Sequence, residues 1–312
     1  MALHQPSGRS RLGFALAATT MILWGALPLA LKIALQTLDA VTLTWFRFGV
    51  AAAVLAGFLG ARGRLPSLAK LGRSGWALLA VAVLGLSANF LTFLVGLDLT
   101  SPANSQVLIQ MAPMLLGLGS LVVFKERYER LQWIGLGILA AGLLTFFSSK
   151  LGAIDTGTDR YVTGSAILVV AAVTWACYGL AQKQLLFTFS SQPLMLLIYL
   201  GCFACFSLGT HPAKLAGLDA FGWLVLLFCA ANTLVAYGAF AAALNHWEAS
   251  RVSAVLALTP LATLAFTLAG AALLPEHVHP EPVSAWSFVG AGGVVAGSLL
   301  VTLGARRSGL VR

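Results

Sequence analysis

The chain is cut into ten apolar runs joined by short polar turns: residues 12–35, 40–60, 75–97, 101–124, 131–149, 164–186, 192–209, 219–243, 250–274 and 284–304. A helix rises about 1.5 Å per residue, so about twenty apolar residues cross the ~30 Å hydrocarbon core of a bilayer. Runs of this length, repeated along the whole chain, leave no polar face for a water-soluble fold. With 59% hydrophobic and only 9% charged residues and a mean hydropathy of +0.90, an ordinary soluble domain is excluded. The reading is an all-α integral membrane protein with ten transmembrane helices. The first run is too long for the apolar part of a cleaved signal and reads as a retained span.

Basic residues set the orientation. With the N-terminus inside, Arg9, Arg11, Arg62, Arg64, Lys70, Arg73, Lys125, Arg127, Arg130, Lys183, Arg251, Arg306, Arg307 and Arg312 fall on the cytoplasmic side. Lys32, Lys150, Arg160 and Lys214 fall on the other. This asymmetry puts both termini in the cytoplasm. It also accounts for the net charge of +9 without nucleic acid, because the basic residues sit in short clusters between apolar runs.

The chain is also written twice. A constant offset of 147 carries Trp76 onto Trp223, Leu97 onto Leu244 and Pro113 onto Pro260. An offset of 151 carries Gly13 onto Gly164, Trp24 onto Trp175 and Lys32 onto Lys183, and one of 155 carries Gly135, Gly137 and Gly142 onto Gly290, Gly292 and Gly297. Residues 12–149 and 164–304 are the two five-helix repeats, and 150–163 is the polar linker. Five spans is an odd number, so the second repeat enters the membrane inverted. Inverted repeats are the build of many secondary transporters, whose substrate site lies near the midplane between the halves.

The candidate site residues are the polar, aromatic and proline groups inside the runs. Trp24, Gly25 and Pro28 lie mid-way along the first, and Trp175, with Tyr178 and Gln182, at the matching depth of the sixth. The two indoles are either pocket walls or large residues packed beside small ones. Asn89 and Phe90 in the third run, Asn232 and Tyr237 in the eighth, and Gln106 and Gln110 in the fourth place amides and rings in hydrocarbon. An amide there must bond across to a neighbouring helix or face a wet cavity. Gly25, Pro113 and Pro260 are hinge or gate candidates, since proline withholds an N–H and bends a helix. Arg47 is the ionised group deepest in a run; it either serves function or pairs and snorkels. Lys32 is expected to snorkel.

No carboxylate stands mid-run, because Asp39, Asp98, Glu126, Glu248 and Glu276 are all at ends or turns, so tight proton coupling is not indicated. There is no HExxH, G-x-S-x-G or Walker-type GxxxxGK[ST] motif, which argues against an enzyme. Cys177, Cys202, Cys205 and Cys229 lie in apolar runs without His or carboxylate companions, so neither a metal nor another cofactor is expected. The glycines Gly135, Gly137, Gly290, Gly292, Gly293 and Gly297 form close-packing stripes that serve intramolecular packing or dimerisation. A monomer is the expected state.

Trp24-Gly25 followed by Lys32, Arg47-Phe48, Pro113 with Lys125-Glu126, Trp133-Ile134-Gly135 with Gly142, and in the second copy Pro260, Glu276, Phe288-Val289-Gly290 and Gly297 together resemble the drug/metabolite transporter superfamily in its ten-span EamA-type branch. The resemblance covers nearly the whole chain. It implies a central cavity lined by the first, third, fourth, sixth, eighth and ninth spans, with the fifth and tenth at the periphery, and export of metabolites across a bacterial inner membrane. Within the branch the chain looks most like the aromatic amino-acid exporters. The prolines and histidines of 275–282 lengthen the link after Glu276 and depart from the pattern, so the resemblance does not extend to the geometry of the outer mouth. The expectation is a secondary transporter that exports amino acids, aromatic or otherwise hydrophobic, by alternating access. The alternatives are an exporter of drugs, nucleosides or other small metabolites and, in another class, a gated channel. The expected partners are a small-molecule substrate and lipid.

Overall fold

A computed structural model describes residues 9–123, 128–151, 158–246, 252, 255–278 and 285–308. Lys125, Glu126, Glu248, Arg251 and residues 152–157 and 279–284 lie outside the described residues. Every regular element among those described is helical: α1 (Ser10–Ala34), α2 (Ala40–Ala61), α3 (Arg73–Leu99), α4 (Pro102–Leu108), α5 (Met111–Val123), α6 (Arg130–Leu151), α7 (Thr158–Leu185), α8 (Ser191–Ser207), α9 (Ala220–His246), α10 (Thr259–Leu273) and α11 (Ala285–Ser308). Short 3-10 turns occupy Leu68–Lys70 and Pro212–Gly217. By length and composition α1, α2, α3, 159–185 of α7 and 220–240 of α9 can cross a membrane, while the described apolar stretches Arg130–Phe146, Ser191–Ser207, Thr259–Leu273 and Ala285–Val301 are shorter.

Two boundaries differ from expectation. The fourth run is not one kinked helix: it breaks at Ile109 and Gln110 into α4 and α5. Pro113 has no N–H to offer the Ile109 carbonyl, which instead accepts from the Ala112 N–H at 2.8 Å. The chain tightens by a residue and the break falls one turn before the proline. The ninth run turns likewise at Ala257 and Leu258, ahead of Pro260, and here the Thr259 hydroxyl donates to the freed Leu256 carbonyl. The second difference is α7, which starts at Thr158, inside the stretch expected to be linker.

Burial is inverted relative to a soluble protein. Leu84, Leu144, Leu224 and Leu273 point outward, whereas Thr20, Arg47, Asn89, Asn104, Asn232, Thr233, Thr263 and Thr267 are buried. A surface of this kind is at equilibrium only against lipid.

The helices pair across the two halves of the chain. α1 packs on α9 and α10, α3 on α7, α2 on α8, α5 on α7, α4 on α10 and α6 on α11. The α6–α11 contact is built on glycine. A Cβ on Gly142 would stand 2.5 Å from the Val294 nitrogen, and one on Gly135 2.6 Å from the Val301 nitrogen. The glycine stripe therefore serves packing within the chain. Gly137 and Gly292 are not in this contact, since a Cβ on either meets nothing within 4 Å.

At one end of the bundle the Asp39 carboxylate caps α2, accepting from the Thr42 N–H at 2.9 Å and from Lys214 Nζ at 3.0 Å. Partial burial alone would raise its pKa, but the bonds from Thr42 and Lys214 outweigh this and hold it below the ordinary 3.8. Because the folded-state value is depressed, this contribution is complete above the ordinary 3.8 and is lost as the pH falls from there through the lower folded-state value. The pair is partly exposed and screened. Asp39→Asn should cost under about 1 kcal/mol at neutral pH and progressively less as the pH is lowered below 3.8, read from melting temperatures across that range.

Candidate functional site

The buried polar groups converge around α4. All seven of its residues, Pro102 to Leu108, are buried, although Asn104, Ser105 and Gln106 are polar. Asn104 is held on both sides of its amide: Nδ2 donates to Ser165 Oγ at 3.1 Å, and the Tyr161 hydroxyl donates to Oδ1 at 2.7 Å. Gln106 and Gln110 behave differently. Gln106 is 9% exposed and Gln110 half-buried, and neither side chain has a hydrogen-bond partner among the described residues. Two amides at a helix break, with their donors and acceptors unspent, are available to a ligand.

Across α1, Trp24 stands against α9. Its ring meets Tyr237 edge-on at 5.2 Å between centroids and Phe240 at 5.7 Å. Behind them, Arg47 reaches from α2 between α3 and α9. It is 3% exposed, donates through Nε and Nη2 to Thr233 Oγ1 at 3.3 and 3.2 Å, and lies 4.9 Å from the centre of the Phe90 ring. Arg47 therefore does not snorkel, and among the described residues no carboxylate stands within 4 Å of it. Phe90 in turn packs on Phe48 at 4.6 Å.

The other predicted residues each contact a neighbouring residue. Asn89 Nδ2 donates to the Ala171 carbonyl at 2.8 Å, tying α3 to α7, and Asn232 Nδ2 donates to the Leu23 carbonyl at 2.7 Å, tying α9 to α1. Trp175 is half-buried against Tyr178 at 6.3 Å. The Tyr178 hydroxyl and Gln182 Nε2 both donate to Met195 Sδ, at 3.6 and 3.1 Å. Trp175 and Trp24 are thus not brought into one aromatic cluster. Gly25 permits α1 and α10 to touch: a Cβ there would lie 2.7 Å from that of Ala262, and the Thr263 hydroxyl donates to the Gly25 carbonyl at 2.8 Å. Pro28 is buried in the same helix, and Pro260 sits in the first turn of α10. Pro113 lies in α5, just past the break.

The structure adds residues that sequence reasoning passed over. Thr233 holds Arg47, Asn104 locks α4, and Thr259, Thr263 and Thr267 form a buried stripe on α10. A hydroxyl every fourth residue in an apolar run was the available signal for the stripe. Removing one should be measurable: Thr263→Val keeps the volume but loses the bond to Gly25, for which we expect a loss of about 0.6 to 1 kcal/mol, seen as a lowered melting temperature in detergent.

In this conformation the helices expected to line an open cavity touch one another. A cavity of about 10 Å³ lies between α4, α6, α10 and α11, beside Val107, Phe146, Pro260 and Leu264. It could hold about one water and no metabolite. The two ends of the bundle are closed by different chemistry. At one end Lys32, expected to snorkel, instead donates to the Leu97 and Thr100 carbonyls at 2.9 and 3.1 Å and so caps α3. Beside it Arg160 pairs with Asp98 at 3.5 Å, and Gln36 Nε2 donates to the His277 carbonyl at 2.8 Å. At the other end the contact is apolar, made by Ala17, Ala243 and Val252 with Leu16, Phe240, Val255 and Leu256. Among the described residues no group of three His, Cys, Asp or Glu side chains could hold a metal ion.

A helical bundle with lipid-facing leucines, a polar centre and helices broken beside buried amides has the build of a multi-pass membrane transporter. The sequence profile of the EamA-like transporter family matches residues 11–148 and again residues 162–303, and the chain belongs to that family. It is 38% identical over 303 residues to the "Uncharacterized inner membrane transporter YhbE" of Escherichia coli K12, covering 96% of this chain and 94% of that protein. It is 36% identical over 293 residues to an "Uncharacterized transporter" of Haemophilus influenzae, covering 94% and 95%. At 26% identity over 315 residues, covering 95% and 97%, it is similar to a "Probable amino-acid metabolite efflux pump" of Escherichia coli K12. A solved crystal structure, 20% identical, superimposes on 97% of this chain and 99% of its own with a TM-score of 0.64, a likeness of fold alone. The chain is thus a multi-pass transporter of the bacterial inner, or cytoplasmic, membrane.

Proposed function

We propose that this transporter exports amino acids with aromatic or other large apolar side chains by alternating access. The observation that carries the reading is that α1 packs on both α9 and α4, with an aromatic wall on the first and unspent amides on and just after the second: Trp24 meets Tyr237 at 5.2 Å, while Gln106 and Gln110 have no partners among the described residues. Trp24, Tyr237 and Phe90 contact the substrate side chain, and Gln106 and Gln110 bond its polar end. Trp175 and Tyr178 supply the corresponding wall in the other half. Asn89 and Asn232 hold the helices that frame the site.

Two inverted five-helix repeats, ten spans and cytoplasmic termini fit this reading. The contacts between the halves keep their pattern when the halves are exchanged, with α1 on α9 as α3 is on α7, and α1 on α10 as α5 is on α7. The breaks before Pro113 and Pro260 are the flexible points, and opening at either end follows from parting the polar contacts around Lys32 or the apolar contact around Ala17. Similarity to a probable amino-acid metabolite efflux pump supports the substrate class.

Overexpression tests it. Cells should gain tolerance to toxic aromatic amino-acid analogues and gain none to purine analogues or cationic dyes. The opposite pattern would replace amino acids with nucleosides or drugs as the cargo.

A further inference from the structure

We infer that Arg47 is the carboxylate anchor of the transport site, so that the protein requires a substrate bearing a free carboxylate. The inference rests on the proposed transport site and adds the group that reads the charge of its ligand.

Three observations carry it. The first is an uncompensated charge. Arg47 is buried at 3% exposure, with Thr233 as its hydrogen-bond acceptor and the Phe90 ring 4.9 Å away. Among the described residues, the titratable groups that act on it electrostatically are Cys229, Tyr237 and Tyr199, none an anion at neutral pH. Among the described residues, one hydroxyl and one ring leave most of five N–H donors, and the full positive charge, without a counterpart. A guanidinium held dry this way is costly, and a structural arginine is ordinarily paired. Its fork of donors matches a carboxylate in two parallel bonds.

The second is that the two helices which hold Arg47, α2 and α9, each carry a buried polar atom without a partner among the described residues. Thr44, one turn earlier on α2, is fully buried with its hydroxyl unpartnered. Asn232, adjacent to Thr233 on α9, is 2% exposed, and its Oδ1 has no partner although its Nδ2 is engaged. Oδ1 is an acceptor and suits an ammonium, the other half of a zwitterion.

The third is adjacency to the aromatic wall. Arg47 contacts Phe90 directly and lies within electrostatic reach of Tyr237, which is the ring Trp24 packs on. An apolar side chain against Trp24 and a carboxylate at Arg47 describe one small molecule.

Binding to the purified full-length protein, followed by tryptophan fluorescence, separates the possibilities with three probes: phenylalanine, phenylpropanoate with the carboxylate alone, and phenethylamine with the ammonium alone. Wild type should bind the first two, and phenethylamine about 30-fold or more weakly. Arg47→Gln should weaken both carboxylates by a similar factor and leave phenethylamine unchanged, while Arg47→Lys, which keeps the charge without the fork, should fall between. Phenethylamine binding as well as phenylpropanoate, or absence of carboxylate binding by wild type, would overturn the anchor without depending on any variant's folding. Should phenylpropanoate bind through Arg47 while phenylalanine is not transported, the anchor stands and the amino-acid reading falls. Equal phenylalanine transport by wild type and Arg47→Gln sinks the anchor and leaves that reading in place.

Discussion

Gly142→Leu should leave little folded protein. The α6 and α11 backbones touch at this glycine, where even a Cβ would lie 2.5 Å from the Val294 nitrogen, 2.7 Å from the Gly293 carbonyl carbon and 2.8 Å from the Gly290 oxygen. These are backbone atoms, so no side chain can swing aside to make room. Inserting methylenes into a well-packed contact costs about 1 to 3 kcal/mol even where neighbours can shift. Four added carbons against two rigid helices should exceed that range. We expect monodisperse protein recovered in detergent to fall several-fold, with a markedly lower melting temperature for what remains. Gly137→Leu is the control. It lies on the same helix two positions after Gly135, and a Cβ there meets nothing within 4 Å. Equal behaviour of the two variants would show that glycine in α6 is not serving this contact.

Trp24→Ala should reduce transport by about tenfold or more. The indole joins α1 to α9 through two ring contacts, with Tyr237 and Phe240. Each is worth about 0.5 to 1.5 kcal/mol beyond the area it buries, and the same face is what we assign to the substrate side chain. Loss of stability alone could lower transport, so the comparison with Gln110→Ala matters. Gln110 has no side-chain hydrogen bond among the described residues, and its truncation should leave the folding free energy within about 0.5 kcal/mol of wild type. Its flux should nevertheless fall severalfold with a raised KM. If both variants moved substrate as wild type does, the site would have to lie elsewhere in the bundle.

Much of this fold is legible in the sequence because a bilayer admits so few solutions. An apolar run of about twenty residues has to be helical, and each of the ten runs contains helix where the chain is described. Pro113 and Pro260 mark the broken helices, but they place the breaks only to within a turn, because the proline disturbs the carbonyl before it. The glycines of α6 and α11 announce a close contact without naming its partner, which tertiary pairing alone decides.

The site is less legible. An asparagine in an apolar run reads the same whether it awaits a ligand or ties two helices, and it took the carbonyls of Ala171 and Leu23 to assign Asn89 and Asn232. Lys32 looked like a snorkelling residue because the sequence does not show that the end of α3 lies within its reach. Arg47 is visible as an intramembrane charge, but that no carboxylate among the described residues pairs with it emerges only when α2, α3 and α9 are brought together.

The most direct test of the account is counterflow. Proteoliposomes containing the purified protein would be preloaded with unlabelled phenylalanine, tryptophan, threonine or a nucleoside, at equal pH inside and out, and labelled phenylalanine added outside. A carrier that returns loaded should accumulate label transiently with the aromatic preloads and not with threonine or the nucleoside. Label that only equilibrates, whatever the preload, would indicate a pore, and accumulation driven by the nucleoside preload alone would contradict an amino-acid exporter.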